Sequence, residues 1–323
     1  MRAIRIASAL GIIVSAASAV AVAQPYPTKP LRWIVPIAAG GATDITTRIV
    51  AQRVSEQIGQ QIVVDNRVGA SGNIGAEIAT RAVPDGYTLL TTVASYAPNH
   101  AVMERTPYDL VRDLAHVTQL TTQAYILLIH PSVPAANVKE FVAAARKAPK
   151  PFAYGSSGVA TLQHLAGVLL ASVAGIEATH VPYKGGALAL NDMVSGRLQF
   201  FFGVMLSSMP HIKSGKVNAL AVSSSRRSQI FPELPTIAES GYPGYVVDNW
   251  YGAAVPAKTP PAIVARLHTE IVRALKHPAV EQRLRTDGSE PGGAMPNEIA
   301  AIVRNDLQRW RKIVKEAGIK AES

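Results

Sequence analysis

The sequence feature that most constrains the fold is a unit of strand, glycine turn and helix that occurs twice. The first unit covers residues 34–45 and the second covers residues 153–165. In each unit a short apolar run leads into a turn rich in glycine, and a helical pattern follows. Strand-like and helix-like segments also alternate between and beyond the two units. This alternation predicts an α/β fold with mostly parallel sheets that helices cover on both faces.

The individual elements follow from apolar periodicity and from the positions of glycine and proline. The predicted strands are Arg32–Pro36, Gln61–Asp65, Thr88–Val93, Tyr125–His130, Phe152–Ser156, Ala178–Pro182, Gln199–Gly203, Asn218–Ser223 and Val246–Ala254. The predicted helices are Thr43–Ile58, Gly75–Ala82, Val138–Ala148, Thr161–Ala174, Gly186–Ser195, Met205–Ser214, Pro261–Lys276, Pro278–Asp287 and a last helix that Asn297 caps.

The length of the chain indicates more than one hydrophobic core. It has 323 residues, 48% of them hydrophobic, and single cores rarely grow this large. We expect a first domain of residues 24–123 and 251–323, and an inserted second domain of residues 124–250, with crossovers at 120–124 and 248–251. Because ligands of open α/β sheets bind at the carboxyl ends of strands, the two glycine turns are expected to face one cleft.

The N-terminus has the pattern of a secretory signal peptide. Arg2 and Arg5 precede an apolar stretch at residues 6–22, and Ala21-Val-Ala23 matches a cleavage site. A single membrane anchor is the alternative, but the apolar stretch is short and interrupted by serines. We therefore expect cleavage near Ala23. The chain has no cysteine on which to build a lipid anchor, so a free periplasmic protein is predicted.

The turn from Pro36 to Asp44 is predicted to bind an anion. Backbone N–H groups at the start of a helix favour negative charge. The turn has no lysine followed by serine or threonine, so it is not a phosphate-binding Walker loop. Asp44 is expected to cap the helix. The predicted ligand residues of this turn are Ile37, Ala39, Gly40, Gly41 and Thr43.

The second turn offers hydroxyl and N–H donors for another carboxylate. Its predicted ligand residues are Ser156, Ser157, Gly158, Thr161, which also caps the next helix, and His164. Tyr96, Asn99, Tyr183 and Asp248 follow other strands or lie at the second crossover, and they complete the predicted set. An exported serine hydrolase that uses Ser156 or Ser157 with His164 is the alternative. The nucleophile motif G-x-S-x-G disfavours it, because Val159 stands where glycine is required.

Several other classes of function lack their motifs. The eight histidines form no i, i+2 or i, i+4 pair, so no metal site is predicted. Gly69, Gly72 and Gly75 do not fit the dinucleotide fingerprint, and no cofactor is expected. The formal net charge of +10 comes from scattered residues, and an exported protein does not meet nucleic acid, so no nucleic-acid partner is expected.

Taken together, the motifs resemble those of the Bug family, the periplasmic solute-binding components of tripartite tricarboxylate transporters. The resemblance covers the mature chain and lies in the order and spacing of its segments. These segments include YPTKPLRWIVPIAAGGATD (26–44), VVDNRVGASGNIGAE (63–77), PDGYTLL (84–90), YGSSGVATLQHLAG (154–167), HVPYKGGALALNDMVSGRLQ (180–199), LPTIAESGYPGY (234–245) and WYGAAVPAKTP (250–260).

The resemblance implies a two-domain Venus-flytrap fold of periplasmic binding protein type II. It also implies a small carboxylate ligand that backbone amides, hydroxyls and ordered water hold between the two turns. The implied partners are the membrane subunits of the transporter, with a membrane sensor kinase as the alternative partner. We expect a monomer that does no catalysis.

This chain departs from the family pattern at four places. It has Ile37 where phenylalanine is common, Gly158-Val-Ala160 in place of G-N-G, His100 after Asn99 in place of proline, and Leu188 in place of proline. These changes predict a more apolar cleft. Val159 and Ala160 suggest a larger carboxylate with an aromatic or aliphatic part.

Overall fold

The structure is a computed structural model that describes residues 26–103 and 106–319. Within these residues the strands are Leu31–Val35 (β1), Ile62–Asn66 (β2), Thr88–Val93 (β3), Leu114–Ile129 (β4), Phe152–Ser156 (β5), Ala178–Pro182 (β6), Phe200–Val204 (β7), Asn218–Val222 (β8), Asp248–Pro256 (β9) and Glu290–Pro291 (β10). The signal peptide predicted at residues 1–23 lies outside the described residues.

Ten α-helices are found in the described part of the chain. They are Ala42–Ile58 (α1), Asn73–Thr80 (α2), Tyr96–Val102 (α3), Val138–Lys147 (α4), Leu162–Ala174 (α5), Gly186–Val194 (α6), Met205–Lys213 (α7), Pro261–Leu275 (α8), Pro278–Thr286 (α9) and Pro296–Glu316 (α10). A 3₁₀ turn, Ala70–Gly72, precedes α2. Over the described residues, no helix combines the length and the apolar character needed to cross a bilayer.

The long strand β4 belongs to two groups of strands. Its residues 114–124 pair with β9, which continues through β3 and β1 to β2, while β10 pairs with its other edge. Its residues 125–129 pair with β7 and its residues 126–129 pair with β8, and β7 continues through β5 to β6. The partners of β4 therefore change between Ala124 and Tyr125, which we call the β4 step.

The carboxyl ends of the parallel strands in both groups point towards the β4 step. In the first group, the N–H of Ala94, just after β3, donates to the carbonyl of Trp250 near the start of β9 (3.0 Å). In the second group, Val204 at the end of β7 is the register partner of Tyr125. The turns that follow β1, β3, β5 and β7 therefore lie on the two sides of one region.

Both faces of the second half of β4 are buried. Alternate residues of a strand face opposite sides of its sheet, so they pack into different cores. Leu127 and Ile129 belong to the main hydrophobic core, which also contains the fully buried Trp33. Ile126 and Leu128 belong to a second, smaller core on the other face. Strands buried on both faces are typical of α/β proteins.

The structure contains the predicted elements and adds to them. β4 begins at Leu114, eleven residues before the predicted strand, and α3, β10 and the 3₁₀ turn were not predicted. Asn297 does not cap the last helix. Pro296 takes the first helical position, where its missing N–H costs nothing, and the Glu298 carboxylate accepts from the N–H of Met295 (2.7 Å).

Replacement of Gly252 by alanine should destabilise the fold. A Cβ there would lie 2.7 Å from Thr92 Oγ1 and 3.2 Å from the carbonyl oxygen of Thr118, between two paired strands. We expect Gly252→Ala to lower the free energy of unfolding by about 1–3 kcal/mol in urea titrations. Gly244→Ala is the matched control, because its Cβ would meet nothing closer than 3.6 Å. Equal effects of the two substitutions would contradict the close packing at Gly252.

Candidate functional site

The turn between β1 and α1 is held by Asp44. Its Oδ2 accepts from the N–H of Gly40 (2.9 Å), and its carboxylate also binds Arg48 Nε and Asn66 Nδ2. Burial raises the pKa of Asp44, but the hydrogen bonds from Arg48, Gly40 and Asn66 more than offset this and hold the pKa below its usual value. The expected role of Asp44 as a cap is therefore wrong, because Gly41 is the N-cap and Asp44 fixes the turn before it.

The first turn of α1 leaves backbone donors unused. No side chain caps the helix, and the N–H groups of Ala42, Thr43 and Asp44 have no acceptor among the described residues. Gly40 has a φ of +80°, a conformation that favours glycine. Arg48 neutralises the charge of Asp44 nearby. An uncapped helix start of this kind suits an anionic group.

The other predicted residues of this turn differ in exposure. Ala39 is exposed, Ile37 is half-buried and its carbonyl accepts from Asn66 Nδ2 (2.9 Å), and Thr43 is buried.

The polar groups of the turn between β5 and α5 form hydrogen bonds mostly within the turn and with the start of α5. Thr161 is the N-cap, as predicted, and its Oγ1 accepts from the N–H of His164 (3.3 Å). The buried Ser156 hydroxyl donates to the carbonyl of Gly158 (2.8 Å) and accepts from the N–H of Gly158 (3.1 Å). The N–H of Ser157 donates to Gln163 Oε1 (3.1 Å). Most donors of this turn therefore maintain its shape.

Two histidines stack beneath the second turn. The rings of His164 and His180 lie 3.8 Å apart at 15°. The pKa of each is lowered to about 4, chiefly by burial, and the proximity of His180 contributes to the lowering at His164. His164 Nδ1 accepts from the N–H of Ala160 (3.1 Å), and His180 Nε2 lies 2.7 Å from Ser156 Oγ. Ser156 thus contacts His180, whereas the hydrolase alternative required His164.

Three further predicted residues bind neighbouring groups. Tyr96 is fully buried and donates to the carbonyl of Gly72 (3.2 Å), and Asn99 donates to the carbonyl of Ser71 (3.2 Å). Both support the 3₁₀ turn before α2. Tyr183 donates to Asp192 Oδ2 (2.7 Å), and burial followed by this bond raises the pKa of Tyr183 to about 12. Contact of these residues with a ligand stays a prediction.

Two cavities adjoin the β4 step, and Gln123 of β4 lines both. The first, of about 220 Å³, lies between the start of α1 and the start of α7, and we call it the α1–α7 cavity. The second, of about 350 Å³, is lined by Asp248, Trp250 and Asp306 among others. Asp248 Oδ1 accepts from the N–H of Ser225 (3.0 Å). Of the predicted ligand residues, Gly40 lines the first cavity and Asp248 lines the second.

The start of α7 forms a wall of the α1–α7 cavity that the sequence did not predict. Val204, Met205 and Ser207 line the α1–α7 cavity opposite Gly40 and Ala42. No side chain caps α7 either, so a second helix start borders the same space. The junction of β7 with α7 contains no glycine turn. The available signal was that the predicted strand and helix almost abut at residues 203 and 205.

Comparison with known proteins decides the family. The model of the tripartite tricarboxylate transporter family receptor matches residues 46–319. The chain belongs to this receptor family. It is 32% identical to the protein BugT of Bordetella pertussis, over 98% of each chain.

Two solved structures are similar over nearly their whole length. One is an R. palustris protein with adipate, 35% identical, with a TM-score of 0.80 over 91% of this chain and 99% of the other. The second is MatC from Rhodopseudomonas palustris with bound malate, 28% identical, with a TM-score of 0.76 over 90% and 100%. Adipate and malate are dicarboxylates.

These findings confirm the predicted fold class, an α/β periplasmic binding protein, and its function as a periplasmic solute-binding receptor. The hydrolase alternative is wrong. The family binds solutes without catalysis, and the Ser156 hydroxyl is buried in hydrogen bonds that shape its turn.

Replacement of Ala160 by glycine should stabilise this receptor. Ala160 has a φ of +59°, which costs an alanine about 1–2 kcal/mol. Glycine removes this strain but adds freedom to the unfolded chain, so we expect a net gain of about 0.5–1 kcal/mol in chemical denaturation. Ala257→Gly, in an exposed turn without positive φ, should instead lose stability. A loss at both positions would contradict the strain at Ala160.

The histidine stack should make stability fall in acid. In the folded state both pKa values are lowered to about 4, so unfolded histidine binds protons first as the pH drops. Their contribution is complete above about pH 6.5 and is lost towards pH 4. We expect His180→Gln to flatten the decline of the unfolding midpoint in this window. His211→Gln, a partly exposed histidine outside the stack, is the control and should leave the decline unchanged.

Proposed function

We propose that this receptor captures a carboxylate-bearing ligand between two domains. The first domain is residues 24–123 and 251–323, and the second is residues 124–250. The observation that carries the proposal is the α1–α7 cavity, which two uncapped helix starts border at the β4 step. Each helix start presents backbone N–H groups and the positive end of its dipole. Together the two helix starts favour the binding of a carboxylate, and this binding needs no lysine or arginine side chain.

The predicted ligand residues divide between the two sides. Residues of the first turn, Ile37 to Thr43, present backbone donors from the first domain. Ser156 to His164 form a rigid wall from the second domain, and the internal bonds of that turn keep its remaining donors in fixed positions. A rigid wall reduces the ordering cost of binding. Tyr96, Asn99, Tyr183 and Asp248 stay in the proposed set as flanking residues.

Closure of the two domains depends on β4 and β9. In the proposed division, both strands cross from one domain to the other without a loop. A ligand that bridges the domains would bend these strands and favour the closed form. It does so only if it binds the closed form more tightly than the open form.

Export and the transporter complete the proposal. Cleavage of residues 1–23 near Ala23 would release the receptor into the periplasm, where we propose that its closed form engages the membrane subunits of a tripartite transporter. The family match supports this partner.

A carboxylate ligand should stabilise the receptor, and one N–H group of α1 should matter for its affinity. At a hundredfold excess over the dissociation constant we expect about 2.7 kcal/mol of added stability in thermal denaturation. Ala42→Pro removes the N–H of Ala42, and proline is tolerated at a first helical position. Loss of one charged hydrogen bond should weaken binding by about tenfold or more.

The control for this experiment is Ala42→Ser, which keeps the N–H group and should keep the affinity. Both variants should unfold like the wild type when no ligand is present. A panel of carboxylates that leaves the melting temperature unchanged would refute the binding role. Equal affinities of the two variants would refute the use of this helix start.

A further inference from the structure

The walls of the α1–α7 cavity are largely apolar. Ala42 and Ile45 of α1 face Val204 and Met205 at the start of α7. The volume of about 220 Å³ would hold about seven water molecules at the roughly 30 Å³ that each occupies in the liquid. Apolar walls favour hydrocarbon over water. The cavity therefore has room for a compact apolar group of about seven non-hydrogen atoms.

The charge in the cavity wall disfavours a second carboxylate. Asp287, after α9, lines the cavity, and no lysine or arginine is among its described lining residues. Asp287 Oδ2 is buried without a hydrogen bond, although Arg283 Nε lies 3.5 Å away in an ion pair. A carboxylate placed inside would lose water, gain no cation and lie near a negative charge.

We propose that the ligand of this receptor is a monocarboxylate with a compact apolar body, and that the body fills the α1–α7 cavity. The single carboxylate binds the backbone N–H groups of the helix starts, while the apolar body contacts the side chains of the cavity wall. This inference rests on the proposed carboxylate-binding function and narrows its ligand class. It separates this chain from the similar structures that contain the dicarboxylates adipate and malate.

Three probes of equal chain length test the proposal by calorimetry on the mature protein. They are hexanoate, adipate and 6-aminohexanoate, whose far ends are neutral, negative and positive. We expect hexanoate to bind about tenfold or more tightly than either of the others, because only its far end costs little to remove from water. Adipate binding as tightly as hexanoate would overturn the proposal. Tighter binding of 6-aminohexanoate would also overturn the proposal, and it would indicate that Asp287 binds an amine of the ligand.

Substitution of Asp287 separates the effect of its charge from that of the cavity shape. Asp287→Asn should narrow the preference for hexanoate over adipate by about threefold or more, because the repulsion of the second carboxylate is reduced. Glu281→Gln is the matched control, since it removes an acid from the first turn of the same helix, outside this cavity. If the Asp287→Asn variant keeps the wild-type preference for hexanoate over adipate, Asp287 does not contribute to the selectivity.

Substitution of the apolar wall provides an independent test. Ile45→Ser should weaken hexanoate binding by about tenfold, since a buried contact of several carbons is lost. Ile49→Ser, one turn further along α1 and outside the cavity, should change it little. Equal losses would overturn the placement of the apolar body. If none of the three probes binds, the proposed function itself fails, whereas tight adipate binding overturns the ligand class alone.

Discussion

The structure depends on the backbone hydrogen bonds of β4. This sixteen-residue strand pairs with β9 and β10 along its first part and with β7 and β8 along its second. Buried backbone groups must find partners, so a strand that runs through both sets of neighbours fixes the register of each. The loop after β1 and the end of β7 border one cavity because one continuous strand positions both groups of strands. The candidate site is a consequence of this pairing.

The two turns of the site use their hydrogen bonds differently. In the first turn, the carboxylate of Asp44 accepts hydrogen bonds from Gly40 and Arg48. The first N–H groups of α1 stay available to a ligand. In the second turn, the side chains of Ser156 and His164 form hydrogen bonds with the backbone groups of Gly158 and Ala160. Few polar groups of this turn are therefore left without a partner. The first turn is therefore suited to attract an anion, whereas the second turn is held by its own hydrogen bonds, and its contact with a ligand stays a prediction. The α7 helix start adds a second attractive element in the cavity that Gln123 of β4 also lines.

Local sequence patterns predicted much of the fold because most elements carry local signals. The apolar run of β1, the glycine before α1 and Thr161 before α5 each act through neighbours in the chain. The first half of β4 carries no such signal. Thr118, Thr121 and Gln123 are polar but buried there, and Thr118 and Gln123 have partners more than a hundred residues away. The bonding of Ser156 to His180 and the wall at Met205 also depend on residues that only the fold brings together.

Two residues of α1 that line the α1–α7 cavity, Ala42 and Ile45, are separate from the residues that hold the fold. Ala42 is exposed, and Ile45 lies outside both hydrophobic cores, although each lines the cavity. Substitutions there leave the packing of β4 and its neighbours intact. Ligand choice can therefore change over evolutionary time at little thermodynamic risk to folding. Duplicated copies of such a receptor could acquire different solutes through one or two substitutions on the first turn of a single helix.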